Sequence, residues 1–490
     1  MTTKKPHIVI FNPDQWRGDV MGHLGNPAAV TPNLDNIVEK EAVSFEQTYC
    51  QNPVCTPSRC SFMSGWYPHI KGNRTIFHMM QPEDPVLLRT LKEDGYFVWW
   101  GGKNDLVPND TDFSQYCDVK YTPENLGMKP LGSDEWRGEP YGPDYYSFYG
   151  GKLDENHELT GFADFDWGYI NGAIEQIKNA PEDQPLCIYL PLMYPHPPYV
   201  VEEPWFSMIE RDKLPERVKP SKDFKGKPSM LKGIAEIQNL DSWSEEKWDE
   251  LRATYYGMCA RVDHQFGLVM NALKEAGIYD DTAVFFFSDH GDYTGDFNVV
   301  EKNQNTFEDS LTRVPFVIKP PANVPVKPGV RDSLVELIDF PATVEDLVGI
   351  EPNHTHFGKS LLPLLKGEEM EHRDAVFSEG GRLHGETHCM ELEATDQQQP
   401  GALYYPRLSL QRSEGPEHTK AVMCRTKDYK YVQRLYEEDE LYDLNKDPNE
   451  VENRINDPKL SGVLSELKER LLHFHLATSD VVRHKPDARF

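Results

Sequence analysis

Three stretches of this chain carry side chains that could do chemistry together. One reads Pro53-Val54-Cys55-Thr56-Pro57-Ser58-Arg59 and runs on through Cys60-Ser61-Phe62-Met63-Ser64-Gly65. Pro57 belongs near the start of a helix, which puts Cys55 at or just before the N-terminus. There the partial positive charge of unpaired N–H groups stabilises an anion or a nucleophile. Arg59 follows one turn on, where its planar fork can reach the same point and clamp two oxygens of a tetrahedral anion. The plainer alternative is a turn with a buried cysteine. The other two stretches are Asp14-Gln15 and Ser288-Asp289-His290-Gly291-Asp292. Carboxylates, an amide oxygen and one imidazole make a mainly oxygen site for one hard divalent cation, Ca²⁺ first, with Mn²⁺ or Mg²⁺ left open by the imidazole. Either pair alone would pass for an ordinary strand-end cap.

Elements must bring these residues together. Residues 7–11 (HIVIF) form an apolar run suited to a buried parallel strand, ending at Asn12-Pro13-Asp14-Gln15. Residues 96–100 read as another strand leading into Gly101-Gly102-Lys103, and residues 186–190 as one running into Tyr194-Pro195-His196. Residues 281–287 (DTAVFFF) deliver Asp289-His290, and residues 314–318 form one more strand. Between them lie helical patterns: one opening at Thr31-Pro32, one over 86–94 stopped by Gly95, and a long one over about 246–276 with apolar residues alternating at three and four. Strands alternating with helices mean an α/β fold with a large, mostly parallel sheet flanked by helices. Asp14, Lys103, His196 and Asp289-His290 all fall just past a strand's C-terminal end, where such sheets bind ligands. After about residue 371 the texture changes to short strand-like pieces (421–424, 429–432, 441–442) and a helix near 460–473. The division expected is a catalytic domain over 1–370 and a smaller C-terminal α+β subdomain over 371–490 with a short antiparallel sheet. Residues 395–415, rich in Gln, Pro and Ser, read as a surface loop.

The stretch Cys55-x-Pro57-x-Arg59, with Pro53 before it and Phe62-Met63-x-Gly65 after it, resembles the activation signature of the formylglycine-dependent sulfatases of the alkaline-phosphatase superfamily. The resemblance implies that Cys55 is oxidised by a maturation enzyme to formylglycine, whose hydrate attacks sulfur with one hydroxyl and expels sulfate with the other. It implies metal ligands at Asp14, Gln15, Asp289 and His290 beside residue 55, and many members carry a second Asp where Gln15 stands. Gly95–Lys103 is similar to the family's second signature, whose lysine contacts the sulfate; Lys302 falls where a second such lysine stands, and His196 where a histidine lies near the leaving oxygen. Arg59, Lys103 and Lys302 then supply positive charge to the site. Two positions depart from the pattern. Asp105 stands where the family has histidine, so leaving-group protonation falls on His196 and Asp105 is read as a recognition residue, with orientation of Lys103 as the alternative. Thr75-Ile76, preceded by Asn73-Arg74, replaces a usual Asp-Asn pair, so Asn73 and Arg74 are weaker substrate-contact candidates. The sequence from Leu441 to Glu450 matches the family's ending, whereas 127–164 and 204–241 match least and read as rim segments that select the substrate.

Composition bounds the partners. A formal net charge of −29 repels nucleic acid, anionic membrane and, at long range, an anionic substrate, so the site must concentrate its own cations. No stretch approaches the roughly 18 apolar residues of a membrane span, and the first residues, MTTKKP, carry no signal-like apolar run, so the expectation is a cytoplasmic protein. The 8 cysteines are scattered without a Cys-x-x-Cys pair and, Cys55 apart, read as core residues. The substrate expected is a small-molecule or saccharide sulfate ester; a homo-oligomer is left open. Two other functions compete: a phosphonate monoester or phosphodiester hydrolase of the same superfamily, and a non-catalytic carbohydrate or anion-binding protein. The presence of Cys55, Asp14, Asp289 and His290 argues against the second.

Overall fold

The computed structural model describes residues 5–123, 135–153, 165–368, 370–484, 486, 488 and 489. Much of the 127–164 segment therefore lies outside the described residues. In chain order the strands are β1 (His7–Asn12), β2 (Val43–Tyr49), β3 (Phe97–Gly101), β4 (Val119–Tyr121), β5 (Tyr149–Lys152), β6 (Leu186–Pro191), β7 (Tyr199–Val201) and β8 (Thr282–Phe287). They continue with β9 (Arg313–Val314), β10 (Phe316–Lys319), β11 (Gly329–Glu336), β12 (Val376–Gly380), β13 (Ala421–Arg425), β14 (Tyr429–Arg434) and β15 (Glu440–Asp443). Nine of them make the central sheet, in the order β11-β2-β10-β8-β1-β6-β3-β4 with β9 paired to β2.

The middle strands β8, β1, β6 and β3 are parallel, as their continuous apolar runs require of strands covered on both faces. Successive side chains of β1 point to opposite faces. Val9 and Phe11 join a core built on the long helix Glu245–Glu275, with Met258, Phe266 and Phe286. Ile8 and Ile10 join the other core, with Phe62, Phe285, Phe287 and Phe340. Phe11 sits edge-on to Phe266 at 5.3 Å and stacks on Phe286 at 5.6 Å. Each such fully buried ring contributes about 1.5–3 kcal/mol.

The run expected as one strand over 314–318 is broken at Pro315, which has no N–H to give a ladder. The two halves are β9 and β10, and β10 runs antiparallel to both β8 and β2. The sheet is accordingly mixed, mostly parallel. β2 reads VSFEQTY, too polar to stand out as a core strand; its pairing with β10 and β11 buries it. The C-terminal unit is the expected antiparallel sheet, β12-β13-β14-β15, packed on the helix Ser461–Thr478 through Tyr431, Leu441, Leu467, Leu471 and Phe474. The surface loop expected over 395–415 is not one. It contains the helix Tyr405–Gln411, whose Pro406, Arg407, Leu408 and Gln411 are buried. Leu410 packs beside Leu231 and Ile234 of the helix Ser229–Gln238, so the apolar residues of this polar-looking stretch are used in an interface within the chain.

Candidate active site

Asp14 follows β1, Lys103 follows β3, His196 follows β6, and Asp289-His290 follow β8. These strands are neighbours in the order β8-β1-β6-β3 and parallel, so their carboxyl ends converge on one point of the sheet edge. The helix Cys55–Ser64 starts there with Cys55 as its first residue, all ten of its residues buried, and no side chain capping its N-terminus. The approach of Lys103 depends on Gly102. Its φ is +136°, and a Cβ there would lie 2.2 Å from the Pro191 carbonyl oxygen. Gln15 (φ 71°), Asp105 (φ 42°) and Glu301 (φ 71°) are non-glycine residues held in the left-handed region, as strained backbone at sites often is.

Arg59 does not stand free to clamp a substrate anion. Its guanidinium is wholly buried, with Nε 3.0 Å and Nη2 2.8 Å from Asp289 Oδ2, Nη2 3.1 Å from Asp14 Oδ2 and Nη1 3.0 Å from Asn12 Oδ1. The two carboxylates occupy the planar fork, and Arg59 braces them. Lys103 Nζ donates to Asp14 Oδ2 at 2.7 Å and lies 2.8 Å from Asp105 Oδ2. Lys302 Nζ donates to Gln15 Oε1 at 2.6 Å, to Glu301 Oε1 at 2.6 Å and to His196 Nε2 at 3.0 Å. Burial works against the charge of Asp14, yet Lys103 and Arg59 hold its carboxyl well below the usual range.

The residues that could hold a cation divide. The ligand atoms of Asp14, Asp289 and His290 lie within 4.8 Å of one another, and so do those of Asp14, Cys55 and Asp105. His290 Nδ1 donates to the Gly291 carbonyl at 2.9 Å, which leaves Nε2 as a lone pair. That lone pair faces Asp14 Oδ1 at 3.5 Å, and neither buried atom has a hydrogen-bond partner. Burial keeps the imidazole below its ordinary pKa, hence neutral. Two buried acceptors face to face are costly unless a cation lies against both, so these residues fit a divalent ion. Gln15 is arranged differently from the expectation: its amide oxygen is taken by Lys302 and its amide nitrogen donates to Asp292.

Burial pushes the Cys55 thiol up to about 12, so the residue as encoded is a neutral thiol. His196 Nδ1 donates to the Pro197 carbonyl at 2.6 Å, which makes Nε2 the acceptor from Lys302. Burial and then the Lys302 charge keep this imidazole neutral, well below its ordinary pKa. Asn73 and Arg74 have partners outside the cluster. Asn73 Nδ2 donates to the His78 carbonyl at 2.9 Å, and Arg74 pairs with Glu386 at 2.9 Å and with the Gly381 carbonyl at 3.0 Å. Sequence reasoning missed Asn12 and Glu301, which adjoin identified residues and could have been found by that adjacency.

A family model described as Sulfatase matches residues 6–350, and one described as N-sulphoglucosamine sulphohydrolase, C-terminal, matches residues 377–476. An arylsulfatase of Clostridium perfringens is 26% identical over 514 residues, covering 96% of this chain and 94% of that protein. A choline-sulfatase of Rhizobium meliloti is 26% identical over 512 residues, covering 100% of this chain and 91% of that protein. Among solved structures, the phosphonate monoester hydrolase of Agrobacterium radiobacter superposes with a TM-score of 0.73 at 22% identity, covering 98% of this chain and 100% of that one. A 2-O GAG sulfatase superposes with a TM-score of 0.72 at 23% identity, covering 97% and 93%. At these identities the structural likeness establishes the fold.

Proposed function

Because the chain belongs to the sulfatase family, its model covering residues 6–350, we propose that this sulfuric ester hydrolase works through a formylglycine made from Cys55 and one divalent cation. The observation that carries the reading is the placement of Cys55 at a helix N-terminus with its ligand atom within 4.8 Å of carboxylate oxygens of Asp14 and Asp105. Asp14, Asp289 and His290, with residue 55, would hold the cation, Ca²⁺ first, and when bound it supplies positive charge against developing oxygen charge. Arg59 keeps the two carboxylates in place, and Gln15 holds Lys302. Lys103 and Lys302 place positive charge beside the sulfate oxygens in a chain whose net charge is −29. The proton for the leaving oxygen belongs to the Lys302–His196 pair. Asp105 serves by orienting Lys103. The substrate class is a small-molecule or saccharide sulfate ester, and a separate maturation enzyme converts Cys55.

The test is mass spectrometry of the peptide bearing residue 55 from protein co-expressed with a maturase. The aldehyde or its hydrate is expected there, and Cys55→Ala should lose activity while remaining folded. Fully active protein carrying only thiol at residue 55 would end this reading. A second reading, phosphonate monoester hydrolysis, is favoured by the likeness to the Agrobacterium radiobacter enzyme. Parallel kcat/KM values for an aryl sulfate and an aryl phosphonate rank the two.

A further inference from the structure

The helix Tyr405–Gln411 brings a buried cation toward the site that the reaction does not use. Arg407 is 6% exposed, and its Nε and Nη1 have no hydrogen-bond partner. Its Nη2 lies 3.9 Å from Glu391 Oε2, beyond hydrogen-bonding reach, and that oxygen is also without a partner. Glu391 is 1% exposed and sits at φ +52°. A guanidinium and a carboxylate so buried, each with unmet polar atoms, are ordinarily found satisfied.

Both lie beside the reacting centre. Glu391 Oε1 accepts from the Ile76 N–H at 3.2 Å, and the Ile76 carbonyl accepts from the Thr56 hydroxyl at 3.3 Å, the residue after Cys55. Burial works against the Arg407 charge, while Glu391 and Glu301, the residue before Lys302, favour it and hold the guanidinium above its ordinary pKa. The scissile sulfate already has Lys103 and Lys302. What remains is a donor fork next to an acceptor oxygen. Their complement is a group that accepts from Arg407 and donates to Glu391, which is an acidic sugar ring: an anionic substituent beside a free hydroxyl.

We propose that Arg407 and Glu391 form a recognition subsite for a second anionic group, a carboxylate or a further sulfate, on the saccharide that carries the scissile ester. This rests on the sulfatase reading above. Arg407 acts on binding and Glu391 keeps the fork aimed while taking a hydroxyl.

Three monosaccharide esters separate the sources: one with a single sulfate and no other charge, one with an added carboxylate, and one with a second sulfate. Wild-type protein should favour at least one of the sugars with a second charge over the one with a single sulfate. Arg407→Gln should erase that preference by about tenfold or more, through KM rather than kcat, and Arg407→Lys should restore part of it. Glu391→Gln supplies a second variant should Arg407→Gln fail to fold, and it too should narrow the preference. Equal KM changes for all three sugars, or no preference in the wild type, would overturn the subsite. Binding is read separately by calorimetry on Cys55→Ala protein, using a desulfated uronate sugar and its carboxyl-reduced counterpart. If no sulfate ester is turned over, the sulfatase reading falls. The calorimetry still judges the subsite: tighter binding of the uronate, lost in Arg407→Gln, supports it, and equal binding of both sugars refutes it.

Discussion

At the scale of single residues, the pair Lys302–His196 changes how the leaving group would be served. From sequence, protonation falls on His196. The geometry gives its Nδ1 proton to the Pro197 carbonyl at 2.6 Å and its Nε2 lone pair to Lys302 at 3.0 Å, so the mobile proton resides on the ammonium. Removing either partner should therefore matter in proportion to the need for an acid. His196→Ala and Lys302→Ala are each expected to lower kcat/KM for an alkyl or sugar sulfate by about 10²–10⁴. A nitrophenyl sulfate, whose phenolate leaves unaided, should suffer far less from His196→Ala. Equal losses on both substrates after His196→Ala would show that the histidine does something other than manage this proton.

Among the elements, the turn after β8 is tightly built. Gly291 follows the two residues that would ligand the metal, and a Cβ there would lie 2.0 Å from the Ser310 carbonyl oxygen and 2.9 Å from its carbon. That obstacle is backbone, held by the Gly291 N–H to the Leu311 carbonyl at 2.7 Å and the Asp292 N–H to the Ser310 carbonyl at 2.9 Å. It cannot swing aside as a side chain would. Gly291→Ala should cost about 3 kcal/mol or more of stability and displace Asp289-His290, with weaker metal binding as the second readout. A thermal midpoint and metal affinity equal to the wild type would refute this account of the turn.

Over the whole molecule, the two sheets are joined by buried polar contacts. Glu336, at the end of β11, accepts from the Phe377 N–H of β12 at 2.7 Å and from the Tyr67 hydroxyl at 2.6 Å. Arg373 lies 3.0 Å from Glu336 and pairs with Asp339, which also takes His372 Nε2 at 3.1 Å. Burial raises the Asp339 carboxyl, but Arg373 and His372 together outweigh it and hold the group well below the usual carboxylate range. A carboxylate depressed in the folded state stabilises above its unfolded value of about 3.9, and that contribution is lost as pH falls toward the folded value. Unfolding free energy should therefore decline below about pH 4, and Asp339→Asn should flatten part of that decline. The same variant should cost about 3–5 kcal/mol at neutral pH by leaving Arg373 under-compensated. Urea unfolding of both proteins from pH 7 to 3 checks the sign; an unchanged slope would show that the pair is not linked to folding. Among the described residues no helix is long and apolar enough to cross a membrane.

What the sequence determined by itself was whatever depends on local pattern. Apolar runs such as HIVIF and TAVFFF are legible because strands buried on both faces have no polar residue to interrupt them. Asp14, Lys103, His196 and Asp289 could be assembled from order alone, since parallel strands put their carboxyl ends on one edge. Tertiary structure decided which atom each side chain serves. Arg59 is spent on Asp14 and Asp289, Gln15 on Lys302 and Asp292, and Arg74 on Glu386, because a buried charge or amide takes the strongest partner in reach and that partner is hundreds of residues away for most of them. Arg407 and Glu391 differ, since polar atoms of both are left without a partner. Their stretch is polar and Gln-rich, without helical or strand periodicity to announce it, and only its packing on the helix Ser229–Gln238 buries Arg407 near Glu391.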